Sequence, residues 1–228
     1  MFHPVSIVIP TFNEAESIGA VLAEFPPEYR ADLIVADGGS QDGTQNIARA
    51  AGARVIDAGR GYGRACALGA AAAIASSTVI VFLDGDGADR GDLIGRIAGP
   101  VLEGRQDFVL ASRTLGDREP GSMNWHQVLA GRLAGFGMGA LYGMRYTDMC
   151  AFRAIRRDAL ASLNMVEMTY GWNIEMQMKA ARARLRIAEI PMPYRCRIGG
   201  ESKVAGSLRG TLKAGSRIVQ TFARVAAG

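Results

Sequence analysis

Cysteine is scarce in this chain. Its 228 residues hold three, Cys66, Cys150 and Cys196, odd in number and widely spaced. Such a set fits neither a disulfide framework nor a zinc site, and it agrees with a reducing, cytoplasmic setting. Long hydrophobic runs are also scarce. The longest uncharged run, 65–83, is interrupted by Ser76-Ser77-Thr78. It begins rich in Ala and Gly, like a packed helix, and ends β-branched, like a strand. It is therefore expected to be helix plus strand rather than a membrane span. No secretory leader is expected, because the first residues lead straight into a strand-like run. Repeats and flexible linkers are lacking as well. One domain is expected over 1–207, followed by an amphipathic basic helix over 208–228. That tail has little aromatic interleaving and no nucleic-acid-binding motif, so no nucleic-acid partner is expected.

The bulk composition is that of an ordinary globular protein, 49% hydrophobic and 21% charged. The charge is uneven. Residues 1–178 carry 15 Lys and Arg against 20 Asp and Glu, whereas residues 179–228 carry 11 against 2. A basic tail of this kind is either a solvated face or a surface for phosphate groups or an anionic membrane.

Short β-branched runs alternate with helical patterns through the first 112 residues. Strands are expected at 6–10, 33–36, 54–56, 79–83 and 108–111. Asn13 and Glu16 have the spacing of a capping box for the first helix. An Ala-rich helix is expected to run to about Ser76, and another from about Asp92 to Leu102. The alternation predicts an α/β fold with a largely parallel, doubly wound sheet. Ligands of such sheets bind at the carboxyl ends of the strands. Beyond residue 112, helices are expected at 124–143, 171–183 and 208–225, with strands near 150–155 and at 187–190. Gly131, Gly135, Gly139 and Gly143, four residues apart, suit close helix packing.

The strongest local signal is Phe82-Leu83-Asp84-Gly85-Asp86. Carboxylates leaving a buried strand are costly unless hydrated, paired or bound to a cation, and a Mg²⁺ or Mn²⁺ ion bridging diphosphate oxygens would use them. An ordinary acidic turn is the plainer alternative. Pro10-Thr11-Phe12-Asn13-Glu14 and Asp37 end the first two strands, where a carboxylate can accept from a nucleobase N–H and a ring can lie over the base. Gly59-Arg60-Gly61-Tyr62-Gly63 would let the backbone approach phosphates, with Arg60 adding charge.

Taken in order, IVIPTFNEAESI, ADGGSQDGT, GRGYGRACALGA and FLDGDG resemble the family 2 glycosyltransferases of the GT-A fold. The resemblance runs from Ser6 to about Lys203. It implies a Rossmann-like sheet, a nucleotide-sugar donor, inversion at the anomeric carbon, and Mg²⁺ or Mn²⁺ as cofactor. It implies metal contacts at Asp84 and Asp86, with Asp89 as a substitute ligand because Ala88 stands where a Gln often does. Nucleotide-sugar contacts fall on Pro10, Phe12, Glu14, Asp37, Arg60 and Asp84. Where the family has Asp-Asp-Gly-Ser, this chain has Asp37-Gly38-Gly39-Ser40.

Farther on, Ala111-Ser112-Arg113, Asp148 to Arg153, Glu175, Lys179 and Arg197 to Lys203 resemble the dolichol- or polyprenyl-phosphate sugar synthase branch. This implies a lipid-phosphate acceptor held by Ser112, Arg113 and Arg132. It also implies that Arg197, Ser202 and Lys203 close over the donor diphosphate. The membrane surface is then an expected partner, with the protein peripheral on its cytoplasmic face. For a hydroxyl acceptor a base is needed. Asp148 is the first candidate and Glu175 the second, and each has an alternative role in orienting Arg153 or Lys179. A hydroxyl-acceptor transferase, a nucleotidyltransferase and a non-catalytic nucleotide-sugar binding module are the rival readings. The nucleotidyltransferase lacks its Gly-rich first loop here, since Pro10 to Glu14 occupies that place.

Overall fold

The computed structural model describes residues 3–199 and 208–228. Seven strands form one sheet: β1 Val5–Thr11, β2 Leu33–Asp37, β3 Arg54–Asp57, β4 Val79–Phe82, β5 Phe108–Ser112, β6 Arg153–Arg156 and β7 Ile187–Pro191. Their order is β3-β2-β1-β4-β6-β5-β7. All pairs are parallel except those of β6, which runs antiparallel to β4 and β5. The sheet is thus the mostly parallel GT-A type expected, with one reversed strand that the alternation of elements did not reveal.

The helices are α1 Ile18–Glu24, α2 Thr44–Ala50, α3 Tyr62–Ala71, α4 Ile94–Leu102, α5 Trp125–Tyr142, α6 Arg157–Ser162, α7 Trp172–Arg182 and α8 Leu208–Ala227. Side chains alternate across each strand, so β1 feeds two cores. Val5, Ile7 and Ile9 pack with Ile18 and Leu22 of α1 and Ile94 and Ile97 of α4. Val8 faces the other way, into a cluster with Cys66 of α3, Trp172 and Met176 of α7 and Val225 of α8. Cys66 and Cys150 are buried, Cys196 is exposed, and all three are free thiols. Among the described residues no helix is long and apolar enough to cross a membrane.

Several local expectations need correction. The first helix begins at Ile18, not after an Asn13–Glu16 capping box. Asn13 is left-handed, with φ 52°, and its side chain accepts the Gln41 N–H at 3.0 Å, so it ties the β1 loop to the β2 loop. The Ala-rich helix stops at Ala71. The strand expected near 150–155 starts at Arg153, and α6, which follows it at once, had no counterpart in the expectations.

The glycines of α5 do permit close packing. A Cβ on Gly135 would overlap the Tyr146 carbonyl oxygen. Gly131 and Gly139 face the same 145–148 segment, and Gly143 ends the helix in a left-handed conformation.

Candidate active site

Strands β1, β2 and β4 are adjacent and parallel, so their carboxyl ends open on one edge. A cleft of about 970 Å³ lies there. Pro10, Phe12 and Glu14 reach it from the end of β1, and Asp84 and Asp86 from the end of β4. Arg60 and Tyr62 enter from the start of α3, Arg197 from the loop after β7, and Lys213, Arg217 and Gln220 from α8.

Like charges crowd the β4 end. Burial, together with the negative charges of Asp86 and Asp89, raises the Asp84 carboxyl to about 8. Burial and the Asp86 charge likewise raise Asp89 to about 6. A divalent cation would remove this cost, so the donor set fits one. Asp86 is fixed for the task at two points. Its Oδ1 accepts the Ala88 N–H at 3.0 Å, and its carbonyl accepts the Ile198 N–H at 2.9 Å, tying the acidic turn to the Arg197 loop. Among the described residues no group of three or more His, Cys, Asp or Glu side chains forms a ready-made metal cage. The protein would therefore supply one or two carboxylate oxygens, the remainder coming from diphosphate and water. Asp89 is not among the cleft-lining residues. It is 6% exposed, with the Cys150 thiol 3.7 Å from its Oδ1, which argues against it as a third ligand.

Two contacts organise the cation side. The Arg60 guanidinium lies 3.5 Å from the centre of the Phe12 ring, a cation–π stack that presents a flat, positive surface. Arg197 pairs with Glu14 at 2.9 Å, so the loop after β7 is pinned to the loop after β1. Ser202 and Lys203 lie outside the described residues.

Asp37 does not fit its expected role. It is fully buried and absent from the cleft wall. One carboxylate oxygen accepts from the backbone N–H groups of Gly39 and Ser40 and from Gln45, and the other from the Ser40 and Thr11 hydroxyls. Burial opposes ionisation, but these bonds outweigh it and hold the carboxyl below its ordinary range. Asp37 shapes the β2 turn and has little capacity left for a base. The glycine loop is also reassigned. The Gly63 and Arg64 N–H groups donate to the carbonyls of Thr169 and Met168 at 3.2 and 2.9 Å, and a Cβ on Gly63 would overlap the Glu167 carbonyl oxygen. Gly61 and Gly63 let backbone meet backbone at 167–168.

The two candidate bases are occupied. Asp148, 2% exposed, is bound in a bidentate manner by Arg113, with both contacts at 2.7 Å. It also accepts the Arg113 and Met149 N–H groups at 2.9 and 2.7 Å. Burial opposes its ionisation, but the Arg113 charge overrides it and keeps the carboxyl low. Its partner is therefore Arg113, not Arg153. Glu175 is fully buried, accepts the Val166 and Glu167 N–H groups, and pairs with Lys179 at 3.1 Å as its alternative role anticipated. Neither carboxylate lines the cleft, so neither is placed to act as a base there.

Of the acceptor candidates, Ser112 is buried and hydrogen-bonded to Thr147 at 2.7 Å. Arg113 is committed to Asp148 with its guanidinium over Tyr194. Arg132 is exposed on α5.

Sequence reasoning missed Glu167. This buried carboxylate receives Arg217 at 3.1 Å, Thr221 at 3.1 Å and Arg224 at 3.3 Å, fastening α8 beside the cleft. The 213, 217, 220, 224 spacing of polar residues on the basic helix was its only visible trace.

A model of the family described as Glycosyl transferase family 2 matches residues 6–163. An uncharacterized glycosyltransferase of Mycobacterium tuberculosis is 35% identical over 212 residues, covering 91% of this chain and 93% of the relative. A dolichyl-phosphate hexose transferase of Haloferax volcanii is 34% identical over 208 residues, covering 89% and 87%. Among solved structures, glucosyl-3-phosphoglycerate synthase of Mycobacterium tuberculosis, in complex with Mn²⁺, uridine diphosphate and glucosyl-3-phosphoglycerate, has a TM-score of 0.75 at 24% identity. That match covers 98% of this chain and 80% of the other.

Proposed function

The chain belongs to glycosyl transferase family 2, and we propose that it is a metal-dependent, inverting hexosyltransferase that moves a sugar from a nucleoside diphosphate to a polyprenyl or dolichyl phosphate. The observation that carries the donor half is the meeting of Asp84 and Asp86 with Arg60, Arg197 and Phe12 in one cleft. The similarity to a dolichyl-phosphate hexose transferase supports the acceptor half.

In this reading Phe12 and Arg60 give the nucleoside its flat contact, with Pro10 in the same wall. Arg197 and Lys203 offset the charge of the diphosphate, with Ser202 as a hydrogen-bond donor. Asp84 and Asp86 would hold a Mg²⁺ or Mn²⁺ ion, whose chemistry there is to offset charge on the departing diphosphate. An acceptor phosphate oxygen forms the new bond to the anomeric carbon while the bond from that carbon to the donor diphosphate breaks in line. An anionic nucleophile needs little help from a base, which accords with Asp148 and Glu175 being committed elsewhere. Lys213 and Arg217 of α8 add positive charge to the cleft wall where a phosphate-bearing acceptor would approach. The division into a transferase domain at 1–207 and a basic helix at 208–228 is part of this proposal, with that helix as the acceptor-side wall. So is a location on the cytoplasmic face of a membrane.

A second reading has one observation behind it. The structural neighbour was crystallised with a glucosylated phosphoglycerate, whose acceptor oxygen is not a lipid phosphate. Incubation of the purified chain with Mn²⁺ and GDP-mannose or UDP-glucose separates the readings. The proposal predicts a lipid-linked sugar, labile to mild acid, only when undecaprenyl phosphate is added. Product with phosphoglyceric acid alone would favour the second reading. Nucleotide binding with no product from any acceptor would leave a non-catalytic binding module.

A further inference from the structure

The helix α5 is built inside out. Its inward positions are Gly131, Gly135 and Met138, all buried. Its large apolar side chains point to solvent: Trp125 is 77% exposed, Leu129 46%, Leu133 63% and Phe136 65%. Steps of four, four and three residues place these on one helix face. A helix that folds for its own domain buries its large residues, so this stripe is not explained by packing within the chain. An exposed apolar stripe of this size marks a contact surface.

Charge selects the occupant. Neither 125–142 nor 208–227 contains an Asp or Glu. Arg132 lies exposed within the stripe, and the Arg145 guanidinium sits 6.0 Å from the Phe136 ring. Helix α8 runs beside α5, with Phe222 against Gly137 and the Tyr142 hydroxyl donating to the Val225 carbonyl at 3.4 Å. It too leaves apolar side chains, Leu212 and Val219, outward. A second copy of the chain in a two-fold contact would meet this surface with itself, bringing Arg132 toward Arg132 with no carboxylate between them. Anionic phospholipid supplies both hydrocarbon for the Trp, Leu and Phe side chains and negative charge for the arginines.

We propose that the outer face of α5, centred on Trp125, Leu129, Leu133 and Phe136, docks the protein on an anionic lipid surface. The docking stands on the exposed stripe of α5 and on the lack of acidic residues in α5 and α8. Its consequence rests on the acceptor reading above: α8 both packs on α5 and lines the cleft, so docking would bring the cleft to the headgroup level, where a polyprenyl phosphate resides.

Flotation of the full chain with vesicles of phosphatidylcholine, with and without phosphatidylglycerol, tests this in the absence of any polyprenyl phosphate. The chain is expected to float with the phosphatidylglycerol vesicles, and high salt is expected to weaken binding without abolishing it. The triple variant Trp125→Ser, Leu133→Ser, Phe136→Ser should lose about tenfold or more of its bound fraction. Its melting temperature and its transfer activity in detergent should stay at the parent level. Failure of the parent to float, or equal flotation of the variant, would overturn the proposal. So would a parent that sediments as a dimer, does not float, and becomes monomeric in the variant. A parent that does not float yet transfers sugar to polyprenyl phosphate in detergent would remove only the docking face. Flotation with no such transfer would remove only the lipid acceptor.

Discussion

The donor edge of the cleft and the interior of the fold handle charge in opposite ways. On the donor edge, Asp84 and Asp86 stand at the end of a buried strand among charges of their own sign. In the interior, Asp148, Glu167 and Glu175 are each buried and each matched by Arg or Lys. Buried carboxylates with internal partners hold the fold together. Those crowded by like charge impose a cost that a proton or a bound cation relieves. On the proposed function, the contrast separates carboxylates that build this protein from carboxylates kept for chemistry.

The largest effect expected from this contrast is at Asp148. Asp148→Ala leaves the Arg113 guanidinium, whose side chain is only 17% exposed, without its partner. Breaking a buried pair in this way costs about 3–5 kcal/mol, to be read as a lower urea midpoint. If the variant keeps its stability but loses turnover, Asp148 belongs with the donor-edge carboxylates and the contrast fails there.

Gly135→Ala should come next. Its Cβ would press on the Tyr146 carbonyl, and overpacking of this kind costs about 1–3 kcal/mol. A melting curve that does not shift would mean that α5 can move off the 145–148 segment.

Glu167→Gln should be milder. It keeps the shape but removes the charge that Arg217 and Arg224 meet, and both of these are partly exposed and can turn to water. A loss of about 1–2 kcal/mol in thermal unfolding is expected, with increased proteolysis near α8.

The smallest effect is on pH dependence. The Arg186 hydrogen bond, with Arg156 adding its charge, holds Asp107 down at about 2, below its ordinary 3.8. A carboxyl depressed in the folded state stabilises above its unfolded value and loses that contribution as pH falls through the folded one. Stability should therefore decline between about pH 4 and pH 2, and Asp107→Asn should flatten that part of the curve. An unchanged slope would remove Asp107 from the set of structural carboxylates.

The same division governs what could be read from residues alone. Strands β1 to β5 were legible because buried strands and their turns leave local patterns. The meeting of Pro10, Phe12, Glu14, Arg60, Asp84 and Asp86 in one cleft followed from placing loops at strand ends, and Arg197 joined them through the family resemblance. The reversed direction of β6 was hidden, because its register with β4 joins Phe82 to Arg153 across 70 residues of chain. The commitment of Asp148 to Arg113 was hidden for the same reason. Asp37 misled because a strand-end Asp looks alike whether it meets a ligand or its own turn, and the difference lies in five hydrogen bonds that only the folded loop creates. Gly61 and Gly63 misled in parallel, since they serve a backbone contact with a segment about a hundred residues away.

The central claim is that the like-charged end of β4 is held for a cation that carries the donor diphosphate. Calorimetric titration of nucleoside diphosphate into the chain and into Asp86→Asn, each with and without Mn²⁺, tests it most directly when paired with melting curves of the ligand-free proteins. The account predicts Mn²⁺-dependent binding in the parent and about a hundredfold weaker binding in the variant. The ligand-free variant should melt at the same temperature or higher, because a charge that raised the cost of Asp84 is gone. Equal, metal-independent binding in both proteins, or a variant that simply unfolds, would contradict it.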